Sequence, residues 1–412
     1  MFEKKDIKTG LEEIPGGITA PVGFLAAGIA CGIKKSGKKD LALIYSETPA
    51  AGAAVFTTNK FKAAQVLLSM EKIKDHNIRA ILINSGNANS CTGEKGMEDA
   101  RELISFLAEK LSVDESEIHL SSTGIIGELL PVEKMKKGIE EITPLLSKGG
   151  SQDAAEAILT TDKRIKEIAF RFLLPSSRRE VKIGAMAKGS GMIHPDLATM
   201  LAFITTDISI DKSLLQSALR EAVNKSFNRI SVDGDQSTND TVFLLANGRA
   251  GNKKIKEKDE DYYAFLDALK ETAVFLAKSI VLDGEGATRF ITIRIIQARN
   301  EEEAVIAARQ IANSNLVKTA CFGGDPNWGR ITMALGSSKI DFDENKVSVA
   351  INKVELFSNG KPSYHYKDSL SDLIKTGDIL IEINLNQGES TAEFWTSDLS
   401  YDYIKINAEY HT

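Results

Sequence analysis

Short apolar runs alternate with stretches of helical periodicity along the first two-thirds of the chain. Residues 40–46 and 52–57 read as strands, a helix follows near 63–74, and 79–84 is a further buried strand. From 97 to 111 the period changes: Ala100, Leu103, Ile104, Leu107 and Leu111 recur on one face of an amphipathic helix. The alternation of these two periods predicts an α/β layered fold. Residues 119–123 form a short strand that runs into a glycine turn at Gly124, and Pro131 suits the first turn of a helix reaching Leu146. Strands are expected at 167–172 and 181–186. An apolar run follows from Thr199, then a helix over 211–225 that turns Leu214, Leu215, Ala218 and Ala222 inward. Residues 228–232 and 241–245 are the next strand candidates. A long helix over 259–282 should end with a glycine cap at Gly284. Beyond Arg289 the strands lengthen and alternate more strongly, at 290–296, 378–384 and 391–395, between helices at 301–313 and 368–376. This change of texture places a domain boundary there, dividing the chain into 1–288 and 289–412, with no linker, low-complexity tract or repeat to mark it.

A chain of 412 residues is long enough for two or three domains, and 42% hydrophobic with 26% charged residues is ordinary for a soluble globular protein. The net charge of −6, with both signs mixed throughout, excludes the basic face that a nucleic-acid partner demands. Cys31, Cys91 and Cys321 lie far apart, so neither a disulfide framework nor a zinc site is expected and a reducing cytoplasm fits best. None of the five histidines has a partner four residues away, and no metal is expected. The charged N-terminus leads into no apolar export segment. No apolar run approaches the roughly 18 residues of a membrane span, so no membrane association is expected.

Candidate chemistry concentrates in Gly184-Ala-Met-Ala-Lys-Gly-Ser-Gly-Met-Ile-His-Pro-Asp-Leu-Ala-Thr-Met200. A glycine-rich loop delivers Ala198-Thr199 onto an apolar run. If the bond between Ala198 and Thr199 opens, one residue carries both a hydroxyl nucleophile and an α-amine to serve as its base. Taken alone, the same residues also suit an ordinary loop entering a strand. Other features carry less. The stretch 184–190 lacks the Gly-Lys-Ser/Thr ending of a phosphate loop. Asp233-Gly-Asp235 with Asp240 lacks the ligand spacing and closing glutamate of an EF-hand. Residues 84–89 form an amide-rich turn without an acid or base, and Trp328 and Arg330 are read as locking a helix start.

The segment from Met186 to Leu201 resembles the self-cleavage segment of the glutamate N-acetyltransferase (ornithine acetyltransferase) family of arginine biosynthesis. Further matching blocks follow in family order: Phe56-Thr-Thr-Asn-Lys60, Asn84-Ser-Gly-Asn-Ala-Asn89, Ser122-Thr-Gly-Ile-Ile-Gly127, Leu159-Thr-Thr-Asp162, Asp283-Gly-Glu-Gly-Ala-Thr288, Lys318-Thr-Ala-Cys-Phe-Gly323, Asn327-Trp-Gly-Arg330 and the tail Asn407-Ala-Glu-Tyr-His-Thr412. The resemblance implies a layered α-β-β-α catalytic core, cut between Ala198 and Thr199, and a smaller C-terminal α/β domain whose tail reaches the active site. It implies acetyl transfer from N2-acetyl-L-ornithine to L-glutamate through an acetyl-Thr199 intermediate. Thr123 and Gly124 would form the oxyanion hole; Thr161 (or Thr160, one position away), Lys188, Thr199, Glu285, Asn407 and Thr412 would bind the amino-acid substrates. No cofactor is implied. Some members also accept acetyl-CoA, and no residue here decides that point. The implied partners are the two cleavage fragments, assembled as a pair of αβ units. Gly189, Gly191 and Pro195 suit the bent backbone that self-cleavage needs. An N-terminal amine titrating near about 7.7–8.0 is a free base in useful amount at neutral pH. His194 and Asp196 depart from the residues most frequent before the cut. Two other readings stand beside this one: an N-terminal-threonine amidohydrolase or aminopeptidase with water as acceptor, and a non-catalytic binding protein of the same fold.

Overall fold

A computed structural model describes residues 10–194, 200–363, 374 and 376–409. Its organising element is the strand Leu41–Phe56, which the pattern of the sequence divides into two. The interruption lies in the pairing rather than in the chain: register with Ile78–Asn87 slips between Tyr45 and Ala50, around Pro49, where the strand changes partners. Its first half pairs antiparallel with Phe24–Ile29 and its second half with Thr241–Ala246. One strand therefore joins two packed halves of a sheet that has nine strands among the described residues. The larger half runs from Glu12–Glu13 through Lys166–Leu173, Glu180–Lys188 and Leu201–Thr206 to Thr241–Ala246; the other contains Ile78–Asn87 and Ile118–Ile125.

Period-two alternation assigns each side chain to a layer. Leu201, Phe203, Phe243 and Leu245 face Ala42, Ile44, Ile81 and Ile83 of the opposite half, forming a core between the sheet halves. The intervening residues Ala202, Ile204, Val242 and Leu244 pack outward on the helices Lys212–Asn224 and Glu260–Leu282. On the other side Leu41, Leu43, Ala80 and Leu82 meet the helices Gly93–Leu111 and Val132–Ile142. The result is the expected α-β-β-α order.

A second sheet, with seven strands among the described residues, has Phe290–Ala298 as a central strand. Ile291, Ile293 and Ile295 are fully buried against the helices Glu301–Ala312, Asn315–Gly323 and Trp328–Gly336. On its other face Arg294 sits in register with Glu382 and Glu393 and pairs with both, at 3.2 and 2.7 Å. Cross-strand pairs of opposite charge of this kind fix register more than they stabilise.

Several expectations are corrected. The strand expected at 228–232 shrinks to Ile230–Ser231 because Phe227–Arg229 form a 3-10 turn, and it pairs with Ser390–Ser397 in the second sheet rather than the first. Pro131 precedes the helix as its N-cap, and the helix gives way at Ile142 to a 3-10 turn, Thr143–Leu145. The long helix ends as expected at Leu282, but the left-handed glycine is Gly286 (φ 68°), where a Cβ would lie 2.4 Å from the Tyr403 nitrogen. The helix expected at 368–376 lies outside the described residues except at 374 and 376. Among the described residues no helix is long and apolar enough to cross a membrane. Substituting Phe243, which packs on Phe203 and edge-on to Phe56, by Ala should cost about 3–5 kcal/mol in denaturant unfolding through the cavity left between the sheet halves.

Candidate active site

The strands Glu180–Lys188 and Thr241–Ala246 flank Leu201–Thr206 on either side, so the segment after Thr199 enters the sheet at its middle. Thr199 and Ala198 themselves, with Pro195 and Asp196, lie outside the described residues, as does Thr412. At this strand head opens a cleft of about 350 Å³. Its walls include Thr123, Gly124, Thr160, Thr161, Lys188, Glu285 and Asn407. Every described residue named from the sequence as a site residue is thus brought to one cavity.

The turn at Gly124 follows from backbone crowding. Gly124 has φ 136°, and a Cβ there would lie 2.3 Å from the Gly86 carbonyl carbon and 2.5 Å from the Asn87 nitrogen. Only glycine fits. The amide-rich block before it proves to be a scaffold. Asn84 accepts from the Ser122 hydroxyl at 2.6 Å and donates to the Asn87 carbonyl at 2.9 Å, while Asn87 donates to the Glu128 and Leu129 carbonyls. Asn239 donates from across the cleft to the Ser122 and Ala88 carbonyls at 2.8 and 2.6 Å. Together these bonds fix the backbone carrying Thr123 and Gly124.

Lys188, 2% exposed, ends the strand beside that turn. Its ammonium lies 3.5 Å from the Thr123 hydroxyl and 3.9 Å from Asp162. Burial lowers the Lys188 pKa, opposed by Asp162 and, further off, by Asp240 and Glu285. Asp162 also accepts from Lys166 at 2.7 Å and from the Gly189 N–H at 2.7 Å. Burial alone would raise the Asp162 carboxyl, but Lys188, Lys166 and these hydrogen bonds hold it well below the carboxylate range. Lys166 in turn reaches Asp283 at 2.6 Å, which accepts from the Lys163 and Arg164 N–H groups as well.

Asp283 closes the long helix, and two residues on, Glu285 lies against the glycine loop. A Cβ on Gly191 would come within 2.3–2.6 Å of the Glu285 carboxylate. The last described helix, Tyr401–Glu409, is held by the Ser400 hydroxyl on the Gly286 carbonyl and carries Asn407 to 2.9 Å from Glu285. Thr160 turns its N–H and hydroxyl to Asp162, at 3.1 and 3.5 Å, while Thr161 also lines the cleft. Trp328 and Arg330 lie outside the cleft; Asn327 caps their helix by accepting from the Arg330 N–H.

Sequence reasoning missed Asp162, Lys166 and Asp283 as a connected charge chain, and dismissed the acidic loop 233–240 once it failed as a calcium site. Its residues Asp233 and Gln236 to Asn239 line the cleft. The available signal was a run of small polar residues, Ser237-Thr238-Asn239-Asp240, leading directly into a buried strand. Among the described residues no group of three or more side chains is arranged to hold a metal ion.

Comparison with known proteins gives a consistent match. The ArgJ family matches residues 25–412. The arginine biosynthesis bifunctional protein ArgJ of Caldanaerobacter subterraneus subsp. tengcongensis is 48% identical over 98% of this chain and 100% of its own, and that of Symbiobacterium thermophilum is 46% identical over the same shares. Among solved structures, the arginine biosynthesis bifunctional protein ArgJ of Bacillus halodurans is 41% identical, covering 50% of this chain and 98% of its own with a TM-score of 0.49. The ornithine acetyltransferase of Mycobacterium tuberculosis, solved with ornithine, is 37% identical, covering 45% of this chain and 98% of its own with a TM-score of 0.41.

Replacing Asp162 by Asn should cost about 3–5 kcal/mol near neutral pH, because Lys188 and Lys166 lose a shared buried partner. The folded carboxyl titrates below its ordinary value, so its contribution is complete above about pH 4 and is lost only as pH falls through the lower folded value. The gap in melting temperature between parent and variant should therefore be widest at neutral pH and narrow in strong acid.

Proposed function

The chain belongs to the ArgJ family, and on that footing we propose that it is an acetyltransferase of arginine biosynthesis that moves the acetyl group of N2-acetyl-L-ornithine to L-glutamate. The observation that carries this reading is the gathering of Thr123, Gly124, Lys188, Glu285 and Asn407 around one cleft at the head of the strand that Thr199 precedes. The chain first cuts itself: the Thr199 hydroxyl attacks the Ala198 carbonyl, the peptide becomes an ester, and water opens it. Division of 412 residues after Ala198 leaves pieces of 198 and 214.

In the transfer reaction the freed Thr199 amine takes the hydroxyl proton as the oxygen attacks the acetyl carbonyl. The oxyanion is received by the Thr123 hydroxyl and the Gly124 N–H. The nearby Lys188 ammonium polarises that hydroxyl and makes it a better donor. The amine returns the proton to departing ornithine, and glutamate then attacks acetyl-Thr199. Glu285 is the group for a substrate ammonium and Lys188 the one for a carboxylate, with Thr161 and Asn407 as hydrogen-bonding partners. The relatives are named bifunctional proteins, which supports acetyl-CoA as a second acetyl donor. Assembly of the two pieces as a pair of αβ units, and a cytoplasmic location, belong to the same proposal.

Substituting Thr199 by Ala should leave a single chain of 44.8 kDa on intact mass measurement and abolish transfer. With the parent, initial-rate patterns for acetylornithine and glutamate should be those of a ping-pong reaction. Acetylornithine hydrolysis indifferent to glutamate would show a hydrolase instead. Thr123→Val, which removes one oxyanion donor, should lower kcat by about 10²–10³ with little change in the KM for glutamate.

A further inference from the structure

The loop between Ser231 and Thr241 touches the chain on both sides of the undescribed segment 195–199. Upstream, Asp233 accepts from the Met192 N–H at 2.6 Å through one carboxylate oxygen and from the Ile193 N–H at 2.8 Å through the other. The Ile193 carbonyl takes the Val232 N–H at 3.0 Å, the Ser231 hydroxyl at 3.1 Å and the Gly234 N–H at 3.3 Å. Met192 is held at φ 58°, a left-handed conformation that a non-glycine residue adopts only when its surroundings impose it. Downstream, Asp240 accepts from the Met200 N–H at 2.9 Å, and the Thr241 N–H closes on the Met200 carbonyl. That Met200 nitrogen is the atom through which Thr199 is joined to the strand.

We propose that residues 233–240 form a two-ended clamp on the scissile segment, with Asp233 fixing the upstream end and Asp240 the end that carries Thr199. The proposal rests on the reading that the chain cuts itself between Ala198 and Thr199. The clamp is anchored to the rest of the site: Asn239 bonds the Ser122 carbonyl, Thr57 donates to the Ser237 carbonyl at 2.7 Å, and the Ala63 N–H reaches the Thr238 carbonyl at 3.0 Å. One loop therefore ties Met192 and Ile193, Met200 and the oxyanion turn to a common frame, and anchoring both ends of a reacting segment in this way lowers the orientational entropy that opposes attack. Asp233 and Asp240 are positioning residues in this account.

The two carboxylates are used differently. Asp233 spends both oxygens on backbone N–H groups, whereas Asp240 spends only one on a backbone N–H. Burial pushes the Asp240 carboxyl well above its ordinary pKa, against the pull of the Met200 N–H, Lys188 and the Ser237 hydroxyl. Only one Asp240 oxygen accepts from a backbone N–H, and an asparagine carbonyl accepts the same bond without setting its NH2 against a backbone donor, so asparagine is a faithful substitute at 240. At 233 it sets an amide NH2 against a backbone N–H.

The test follows cutting of the full chain over time by cell-free translation with intact mass readout, in the parent, D240N, D240A, D233N and D233A. D240N should cut at the parent rate. D233N should be slower than D240N, and both alanine variants should be slower by about tenfold or more, the scale of one lost buried hydrogen bond. The D240A fraction that is cut should show a lowered kcat with the KM for glutamate unchanged. Either alanine variant cutting at the parent rate, or D240N as slow as D240A, overturns the clamp. Melting of each variant in a Thr199→Ala background reports its folding; if the alanine variants unfold, D240N faster than D233N supports the clamp and equal or reversed rates refute it. An uncut parent would remove the self-cleavage reading and the clamp together, whereas a cut parent with unaffected variants removes the clamp alone.

Discussion

Holding a charged Lys188 inside the sandwich is the constraint from which the site's arrangement follows. An ammonium withdrawn from water loses several kcal/mol of hydration unless a counter-charge and hydrogen bonds replace it. Asp162 supplies the counter-charge, but it too is buried and must be satisfied by Lys166 and the Gly189 N–H. Lys166 passes the requirement on to Asp283, whose carboxylate also receives two backbone N–H groups. The alternation of sign ends at the terminus of the helix Glu260–Leu282. Three distant segments, at 162–166, 188–189 and 283, are thereby locked to one another. Glu285 and Gly191, which nearly touch, inherit their positions from that lock.

Much of the fold was legible because its layers impose simple periods. The inner strands show unbroken apolar runs where both faces are covered, as in Leu201–Thr206 and Thr241–Ala246. The second sheet is apolar on one face and carries Arg294, Glu382 and Glu393 on the other, so its strands alternate visibly. Periodicity failed where the decisive contact was remote. Nothing local to Ile230–Ser231 tells that they pair with Ser390–Ser397 across the chain. The continuity of Leu41–Phe56 through Pro49 depends on a change of partner that only the assembled sheet reveals.

For the site, residue identity was informative where the chemistry is distinctive and silent where a residue acts through its neighbours. Lys188, Glu285 and the turn at Thr123-Gly124 stood out through resemblance of their surrounding motifs. Asp162, Asp233 and Asp240 did not, because a carboxylate that accepts backbone N–H groups in a loop has the same sequence appearance as one that faces solvent. Their roles emerge from burial and from the donors they meet: Asp240 is fully buried and Asp233 half-buried with backbone N–H groups on both oxygens, and a carboxylate withdrawn from water must find donors. The amide-rich turn at 84–89 was similarly opaque, since its side chains bond backbone rather than ligand.

If the chain cuts itself as proposed, the strand order gives a reason for its being made whole first. Leu201–Thr206 and Thr241–Ala246, both downstream of Thr199, lie between Glu180–Lys188 on one side and Leu41–Phe56 on the other, both upstream. Two separately made pieces would have to insert a pair of central strands into a sheet lacking its middle, with buried backbone groups unsatisfied until they met. A continuous chain brings the same strands together at the modest entropic cost of closing a loop, which grows only slowly with loop length. Were the chain cut as proposed, the downstream pair of strands would still be held by upstream strands on both flanks, so release would require breaking two sheet interfaces and the apolar layers on both faces. Opening the backbone beside Thr199, as proposed, would thus change the chemistry of one residue while leaving the packing of the strands that follow it intact.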